Sequence, residues 1–482
     1  MNKRMCAYLV GIVLLIEAAL MLLPLVVSVI FNENATIYGF SVTIACTLAF
    51  GALLCLFKPK DKNIHISDGF AVVTLCWILM SAFGALPYFI TGQIPSYLDA
   101  FFETVSGFTT TGSSILTSVE ELSKGCLFWR SFTHWIGGMG VLIFAMAALP
   151  LASGGGNIHL MRAESPGYDV SKLMPSSRTT AMTLYGIYVF LTVVQVILML
   201  IAGNPLYDSL TLTFGTAGTG GFGIRNSSVA DYNVQTQIII TVFMALFGIN
   251  FSCYYLILLG KVRDFLKNEE VRVYFLIMIT AVVAVALNIY SSCSSLASAI
   301  QISAFQVSSI MTTTGYATVN FDSWPEFSRM TMIFLMFIGT CMGSTGGGIK
   351  VSRIIILFKE GKRQLRRTLR PNKVEIVKFN GKPVSDTAIS SICGYMVMYV
   401  TIILISVLLL SFDKFDTVSN VSGVIATLNN IGPGFGVVGP VGNFALYSGL
   451  SKCVFIADML LGRLEIMPIL AFAYRITAKN VK

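Results

Sequence analysis

Ten apolar runs, each about the 20 residues that a helix needs to cross a hydrocarbon core, dominate this chain and leave it one environment to fold in. They lie near residues 7-30, 37-57, 70-91, 126-150, 181-203, 234-260, 273-292, 329-358, 388-411 and 443-474. The charge content agrees: 12% of the 482 residues are charged and 55% are hydrophobic, whereas a soluble domain carries about 25% charged residues. That balance argues against a soluble enzyme and against a nucleic-acid-binding protein, and the net charge of +9 has to be located before it can be interpreted. Lys3 and Arg4 precede the first run as in a signal peptide, but the run outlasts an ordinary h-region and ends without an A-x-A-like site. It reads as a retained helix.

The basic residues set an orientation. With the N-terminus cytoplasmic, that side collects Lys3, Arg4, Lys58, Lys60, Lys62, Arg162, Lys172, Arg178, four residues from Lys261 to Arg272, eleven from Lys350 to Lys382, and Arg475, Lys479 and Lys482. These are 26 of the 33 Lys and Arg, the asymmetry of the positive-inside rule. Both termini are then expected in the cytoplasm, and the surplus charge is mostly topology. Ten scattered cysteines with no C-x-x-C pair suggest neither a disulfide framework nor a metal site. His65, His134 and His159 are dispersed and read as ordinary loop or helix residues.

Four segments between the later runs are too short and too polar to span, and they resemble one another. The first, from Asp99, ends Thr109-Thr-Thr-Gly112-Ser-Ser114; the second, from Asp208, ends Gly218-Thr-Gly220-Gly-Phe-Gly223. The third, from Ala304, reaches Thr312-Thr-Thr-Gly315-Tyr316, and the fourth ends Leu428-Asn-Asn-Ile-Gly432-Pro-Gly-Phe-Gly436. Each starts as a candidate half-helix and closes on a Thr/Gly-rich or Asn/Gly-rich turn. Aligned on Gly112, Gly220, Gly315 and Gly432, the spacings are 108, 95 and 117 residues, room for two spanning helices around one re-entrant loop. Gly-Phe-Gly also occurs twice, at 221-223 and 434-436, in the corresponding place of the second and fourth loops. A second echo puts Gly137, Gly248, Gly339 and Gly462 in mid-helix, 25, 28, 24 and 30 residues after the loop glycines. Glycine there favours close helix packing, and its recurrence marks a repeated unit.

The predicted fold is an all-α polytopic membrane protein, with two N-terminal helices plus four M1-P-M2 (helix, pore half-helix, helix) repeats in pseudo-fourfold symmetry around a central pore. The expected boundaries are 1-66 for the two N-terminal helices, 67-155 and 156-263 for repeats 1 and 2, and 264-360 for repeat 3 with a Gly-rich intramembrane loop at 339-348. A basic cytoplasmic linker follows at 361-386, and repeat 4 occupies 387-482. Irregular backbone at membrane depth is tolerated only where it lines a wet cavity or is buried in protein. Glycine permits the positive φ that lets a Thr-x-Gly turn aim successive carbonyls inward. Rings of carbonyls replace the hydration shell of a cation such as K⁺, and the C-terminal dipole ends of the half-helices favour the same charge.

On these residues the chain resembles the Trk/Ktr/HKT superfamily of potassium transporters, most closely its bacterial Trk-type membrane subunits. The resemblance covers almost the whole chain, and the extra helices at about 7-57 favour the Trk type over the shorter Ktr type. It implies K⁺ uptake across a bacterial inner membrane, with no enzyme activity and no cofactor; K⁺ would bind, as the transported ion, at the filter alone. The filter it implies consists of Thr110, Thr111 and Gly112; Gly218, Thr219 and Gly220; Thr313, Thr314 and Gly315; and Asn430, Ile431 and Gly432. None of the loops holds a complete TVGYG, and Thr314-Gly-Tyr316 comes nearest, which implies fewer well-formed sites than in a tetrameric channel. Serine at the first-loop glycine accompanies Na⁺ transport in the family; Gly112 favours K⁺.

The run from Gly339 contains Gly343, Gly346, Gly347 and Gly348. Consecutive glycines cost a helix about 1 kcal/mol each, so a break is expected there. Ile349 separates Gly348 from Lys350, which departs from a Walker A loop. The resemblance implies instead that these glycines form an intramembrane gate beneath the filter, with Arg463 facing the pore; a plain ion pair of Arg463 with Glu465 or Asp458 is the alternative. The basic stretch from Lys350 to Lys382 suits anionic lipid headgroups. The resemblance adds a homodimer docked on a cytosolic nucleotide-binding regulatory ring (RCK-type, TrkA-like), with the Ser153 to Arg178 loop as a second surface. Two other functions compete. A membrane enzyme would need a converging acid/base or metal set, which Glu17, Arg130, Asp458, Arg463 and Glu465 do not make. A Na⁺-permeable or H⁺/Na⁺-coupled transporter of the same superfamily stays open, although alternating-access carriers usually show two inverted repeats.

Overall fold

A computed structural model describes residues 2–59, 66–140, 177–372, 375–467 and 469–470. Almost all of the Ser153 to Arg178 surface and the basic C-terminus after residue 470 lie outside the described residues. The chain runs through α1 (Lys3–Ile30), α2 (Asn34–Cys55) and α3 (Asp68–Ile90), then α4 (Tyr97–Phe108), α5 (Lys124–Gly138), α6 (Ser177–Ile201) and α7 (Leu206–Ala217). There follow α8 (Val234–Phe247), α9 (Phe251–Leu258), α10 (Glu269–Ile289), α11 (Leu296–Met311) and α12 (Glu326–Phe337). The last four are α13 (Val351–Leu369), α14 (Asp386–Leu410), α15 (Thr417–Leu428) and α16 (Gly449–Arg463). One two-residue hairpin, Lys378–Phe379 with Lys382–Pro383, is the only sheet among the described residues.

Ten continuous spans are not what the described residues form. Helices α1, α2, α3, α6, α10 and α14 contain the six that are long and apolar enough to cross a membrane; α8 and α9 qualify only together, across a 91° bend. Among the described residues the helices expected to be the second ones of repeats 1, 3 and 4 are shorter: α5, α12 and α16 have 15, 12 and 15 residues, while residues 141–150 and 471–474 of those runs lie outside the described residues. Their recurrent glycines therefore end helices instead of sitting inside them. Gly248 caps α8, Gly137 lies in the last turn of α5, Gly462 in that of α16, and Gly339 just beyond α12. The cause is close approach to backbone. A Cβ on Gly137 would fall on the carbonyl of Phe108, the last residue of α4, and one on Gly462 would fall on that of Leu428, the last residue of α15.

Helices α4, α7, α11 and α15 are short, and most of their side chains are buried. Hydroxyl and carboxylate N-caps start three of them: Ser96 accepts from Asp99 N, Ser295 from Ser298 N and Asp416 from Ser419 N, satisfying amides that open a helix unpaired. The long helices around them expose Leu276, Leu287, Val397, Leu404 and Leu408, as lipid-facing surfaces do. The N-terminal pair is fastened to α5. Glu33 accepts from the amides of Lys124 at 2.5 Å and Gly125 at 3.0 Å, a carboxylate set at a helix N-terminus, and Thr36 donates to Ser123 at 2.9 Å.

Helices α1 and α2 cross where Gly11 and Gly51 meet: a Cβ on Gly11 would lie 2.8 Å from the Gly51 carbonyl oxygen. Gly11→Leu should therefore cost about 1–3 kcal/mol through overpacking. Thermal unfolding in detergent checks this: the midpoint is expected to fall for Gly11→Leu and to stay near wild type for Leu53→Ala at an exposed position.

Candidate functional site

The four short helices end in the same way. The amides of Thr110, Thr219, Thr313 and Asn430 donate to the carbonyls of Gly107, Thr216, Ile310 and Thr427 at 3.0–3.1 Å. Those of Thr111, Gly220, Thr314 and Ile431 reach back to Ser106, Gly215, Ser309 and Ala426 at 2.8–2.9 Å. This paired pattern is a Schellman cap, which needs a left-handed residue at its centre. Thr110, Thr219, Thr313 and Asn430 supply it, with φ of 55°, 55°, 56° and 54°. A β-branched residue rarely adopts that conformation. Each such position costs on the order of 1–3 kcal/mol and persists only where its surroundings enforce it.

Two residues later φ is positive again, at Gly112 (82°), Gly221 (75°), Gly315 (86°) and Gly432 (102°). This corrects the register expected for the second loop. The counterpart of Gly112 is Gly221, whereas Gly220 matches Thr111; Gly218 is the right-handed cap of α7, matching Thr109, Thr312 and Asn429. The adjacent glycines at 220 and 221 hide this shift from an alignment on glycine alone. The Gly-Phe-Gly triplets do not correspond either, since Phe222 directly follows Gly221 while Phe435 lies three residues after Gly432.

The four turns close a ring. A Cβ on Gly112 would strike the Gly220 carbonyl oxygen, one on Gly221 that of Thr314, and one on Gly315 that of Ile431; a Cβ on Gly432 would lie 2.9 Å from that of Thr111. Each loop thus sets one carbonyl, at the matching position, against the glycine of the next loop. These glycines are required twice, by φ and by the neighbouring backbone. Thr110 Oγ1 and Asn430 Oδ1 are buried without a hydrogen-bond partner among the described residues.

Below the third and fourth turns lies the segment between α12 and α13. Its neck is closed by Gly339 N donating to Ile349 O at 2.9 Å and Val351 N to Thr340 O at 3.1 Å. Gly347 N donates to Thr313 Oγ1 at 2.7 Å, and a Cβ on Gly347 would meet the Asn429 carbonyl. Gly346 packs on Thr312 O and Thr340, Gly348 on Gly339, and Gly343 beside Asn250, with Gly343 O accepting from Phe251 N at 3.0 Å. Asn250 also caps α9 through Ser252 N, so one side chain serves the bend and the segment. Lys350 turns its ammonium back onto the carbonyls of Gly346 and Gly347. Glu270 Oε1 accepts from Met342 N at 2.8 Å and Ser352 N at 3.1 Å, one on each side.

Arg463 joins this segment to the first repeat, donating to Thr345 O and Gly138 O at 2.8 Å each and to Gly137 O. Glu465 pairs with Arg353, and Asp458 accepts from Ser406 at 2.8 Å. Sequence reasoning singled out Arg463 and the glycines but not Lys350, Glu270 or Asn250 in these roles. A charge or amide bordering a glycine break was the available signal for Lys350 and Asn250; Glu270 acts across the fold and left none.

Residues 38–481 match the family model TrkH, a cation transport protein. The chain belongs to the TrkH family. A Trk system potassium uptake protein TrkH of Salmonella typhimurium is 35% identical over 481 residues, covering 98% of both chains. A TrkG of Escherichia coli is 30% identical over 474 residues, covering 97% of each. The crystal structure of the potassium transporter TrkH from Vibrio parahaemolyticus superposes with a TM-score of 0.87 at 32% identity, over 98% of both chains. This TrkH-family chain is thus a helical, multi-pass membrane protein of a transport family and not an enzyme.

The ring predicts a contrast between two glycines of similar φ. Gly203 has φ 88° and nothing within 4 Å of an added Cβ, whereas Gly221 abuts the Thr314 carbonyl. Gly221→Ala should destabilise by about 1–3 kcal/mol more than Gly203→Ala, read as the difference between their thermal midpoints in detergent.

Proposed function

We propose that this chain carries K⁺ across a bacterial inner membrane through the four-loop ring, acting as its selectivity filter. The observation that carries this reading is the matching of one carbonyl from each loop, at Thr111, Gly220, Thr314 and Ile431, against the glycine of its neighbour. Four equivalent carbonyls held by backbone are the ligands that replace a potassium hydration shell. The four helices that end at the ring add the negative ends of their dipoles. The unpartnered Thr110 and Asn430 oxygens suit a hydrated path below the ring. The potassium uptake named for the similar proteins points the same way.

The segment from Gly339 to Lys350 serves as the gate. It is bonded to the filter through Thr313 and latched to the first repeat by Arg463, so opening requires Arg463 to release the Thr345 carbonyl. Helix α13 leaves the gate carrying Lys359, Lys362, Arg363, Arg366 and Arg367, a basic surface on which a cytosolic nucleotide-binding ring of the RCK type pulls, with the membrane subunit a homodimer. Both termini lie in the cytoplasm, and the basic face also meets anionic lipid.

Two tests follow. In bacteria lacking their own K⁺ uptake, the wild type restores growth at low K⁺, Gly315→Asp abolishes rescue by blocking the ring, and Gly112→Ser admits Na⁺. Normal K⁺ uptake and unchanged Na⁺ exclusion in both variants would remove the filter assignment. For the gate, Arg463→Gln should raise Rb⁺ uptake into proteoliposomes lacking any regulatory ring; unchanged or lower basal uptake contradicts the latch.

A further inference from the structure

Helix α5 lays two side chains, one turn apart, along the second loop. Arg130 Nη1 donates to Gly223 O at 2.9 Å, its guanidinium lies 3.4 Å from the centroid of the Phe222 ring, and its Nε is bound to Glu103 at 2.6 Å. His134, fully buried, packs against the same phenyl ring, the centroids 4.2 Å apart and the planes inclined by 42°. Its Nδ1 lies 2.8 Å from Gly107 O, and its Nε2 lies 3.3 Å from Phe222 N. A carbonyl only accepts and an amide only donates, so these two bonds assign the neutral tautomer with the proton on Nδ1. One imidazole thereby ties the end of the first pore helix to the backbone of the second loop.

The space it fills is the decisive observation. At the position of the ring carbonyls the other loops carry Thr111, Thr314 and Ile431, while the second has Gly220, and a Cβ there would fall within the His134 ring. The imidazole occupies the room that the other three loops give to a side chain of their own. Three residues before Gly248, Gly339 and Gly462 stand Ala245, Met336 and Met459, none of which can bond a carbonyl and an amide at once.

We infer that His134 is a positioning residue for ion selectivity, an inference that rests on the filter reading. By holding the Phe222 amide and filling the space beside Gly220, it fixes the Gly220 carbonyl at the seam between the first two loops. His134 touches no ion; it acts through the Gly220–Phe222 backbone. Glutamine should replace it, because its amide also offers a donor and an acceptor from one planar group. Leucine cannot: it leaves Phe222 N unpaired and leaves Gly107 O with its bond from Thr110 N alone.

The test is competition by Na⁺ against Rb⁺ uptake in proteoliposomes, at matched protein content, for wild type, His134→Gln, His134→Leu and Gly112→Ser. Na⁺ should compete roughly tenfold better in His134→Leu, the size of effect expected from one buried amide left unpaired. His134→Gln should stay within about twofold of wild type, since both bonding roles are kept. If His134→Leu does not reach the membrane, His134→Asn takes its place, being too short to hold both partners. Unchanged competition in whichever of these two is measured overturns the role of His134 when Gly112→Ser still shifts it. If Gly112→Ser shifts nothing either, the filter reading itself falls.

Discussion

The structure depends on one repeated contact: a carbonyl oxygen of one loop resting on the glycine of the next. It can form only if each half-helix stops in the same way, with a left-handed residue capping it and a second positive φ two residues on. Threonine is a poor residue for such a cap, and three of the four positions carry it. The strain is held by the neighbours, since each turn is clamped by the backbone of the adjoining loop. A ring of this kind is cooperative: loosening one loop removes a wall from the next.

The early ends of α5 and α16 follow from the ring. A continuous helix could not approach the end of a half-helix closely enough to support the turn, and glycine at 137 and 462 allows backbone to touch backbone. In the third repeat the break widens into a segment long enough to fold under the turns. Its closed neck, the buried Lys350 and the two amides held by Glu270 give it one defined position. Arg463 and Arg353 then connect that position to the first and fourth repeats.

Much of this was legible in the sequence, for a physical reason. Glycine and threonine clusters between apolar runs mark turns that must lie at membrane depth, and their recurrence exposed four of them. What stayed hidden depends on partners distant in sequence. The register of the second loop was masked by the Gly220–Gly221 pair and emerges only from hydrogen bonds. Helices α5, α8, α12 and α16 read as parts of continuous spans because hydropathy is blind to where a helix ends, although Asn250 and the glycines at their ends were present. His134 looked ordinary because nothing near it in sequence announces Phe222, 88 residues on.

The central claim is that the four turns make one ion site, and diffraction tests it most directly. Crystals of this chain grown in Rb⁺ should give an anomalous peak on the axis encircled by the carbonyls of Thr111, Gly220, Thr314 and Ile431. An empty axis, with the ion instead between other helices, would contradict the account.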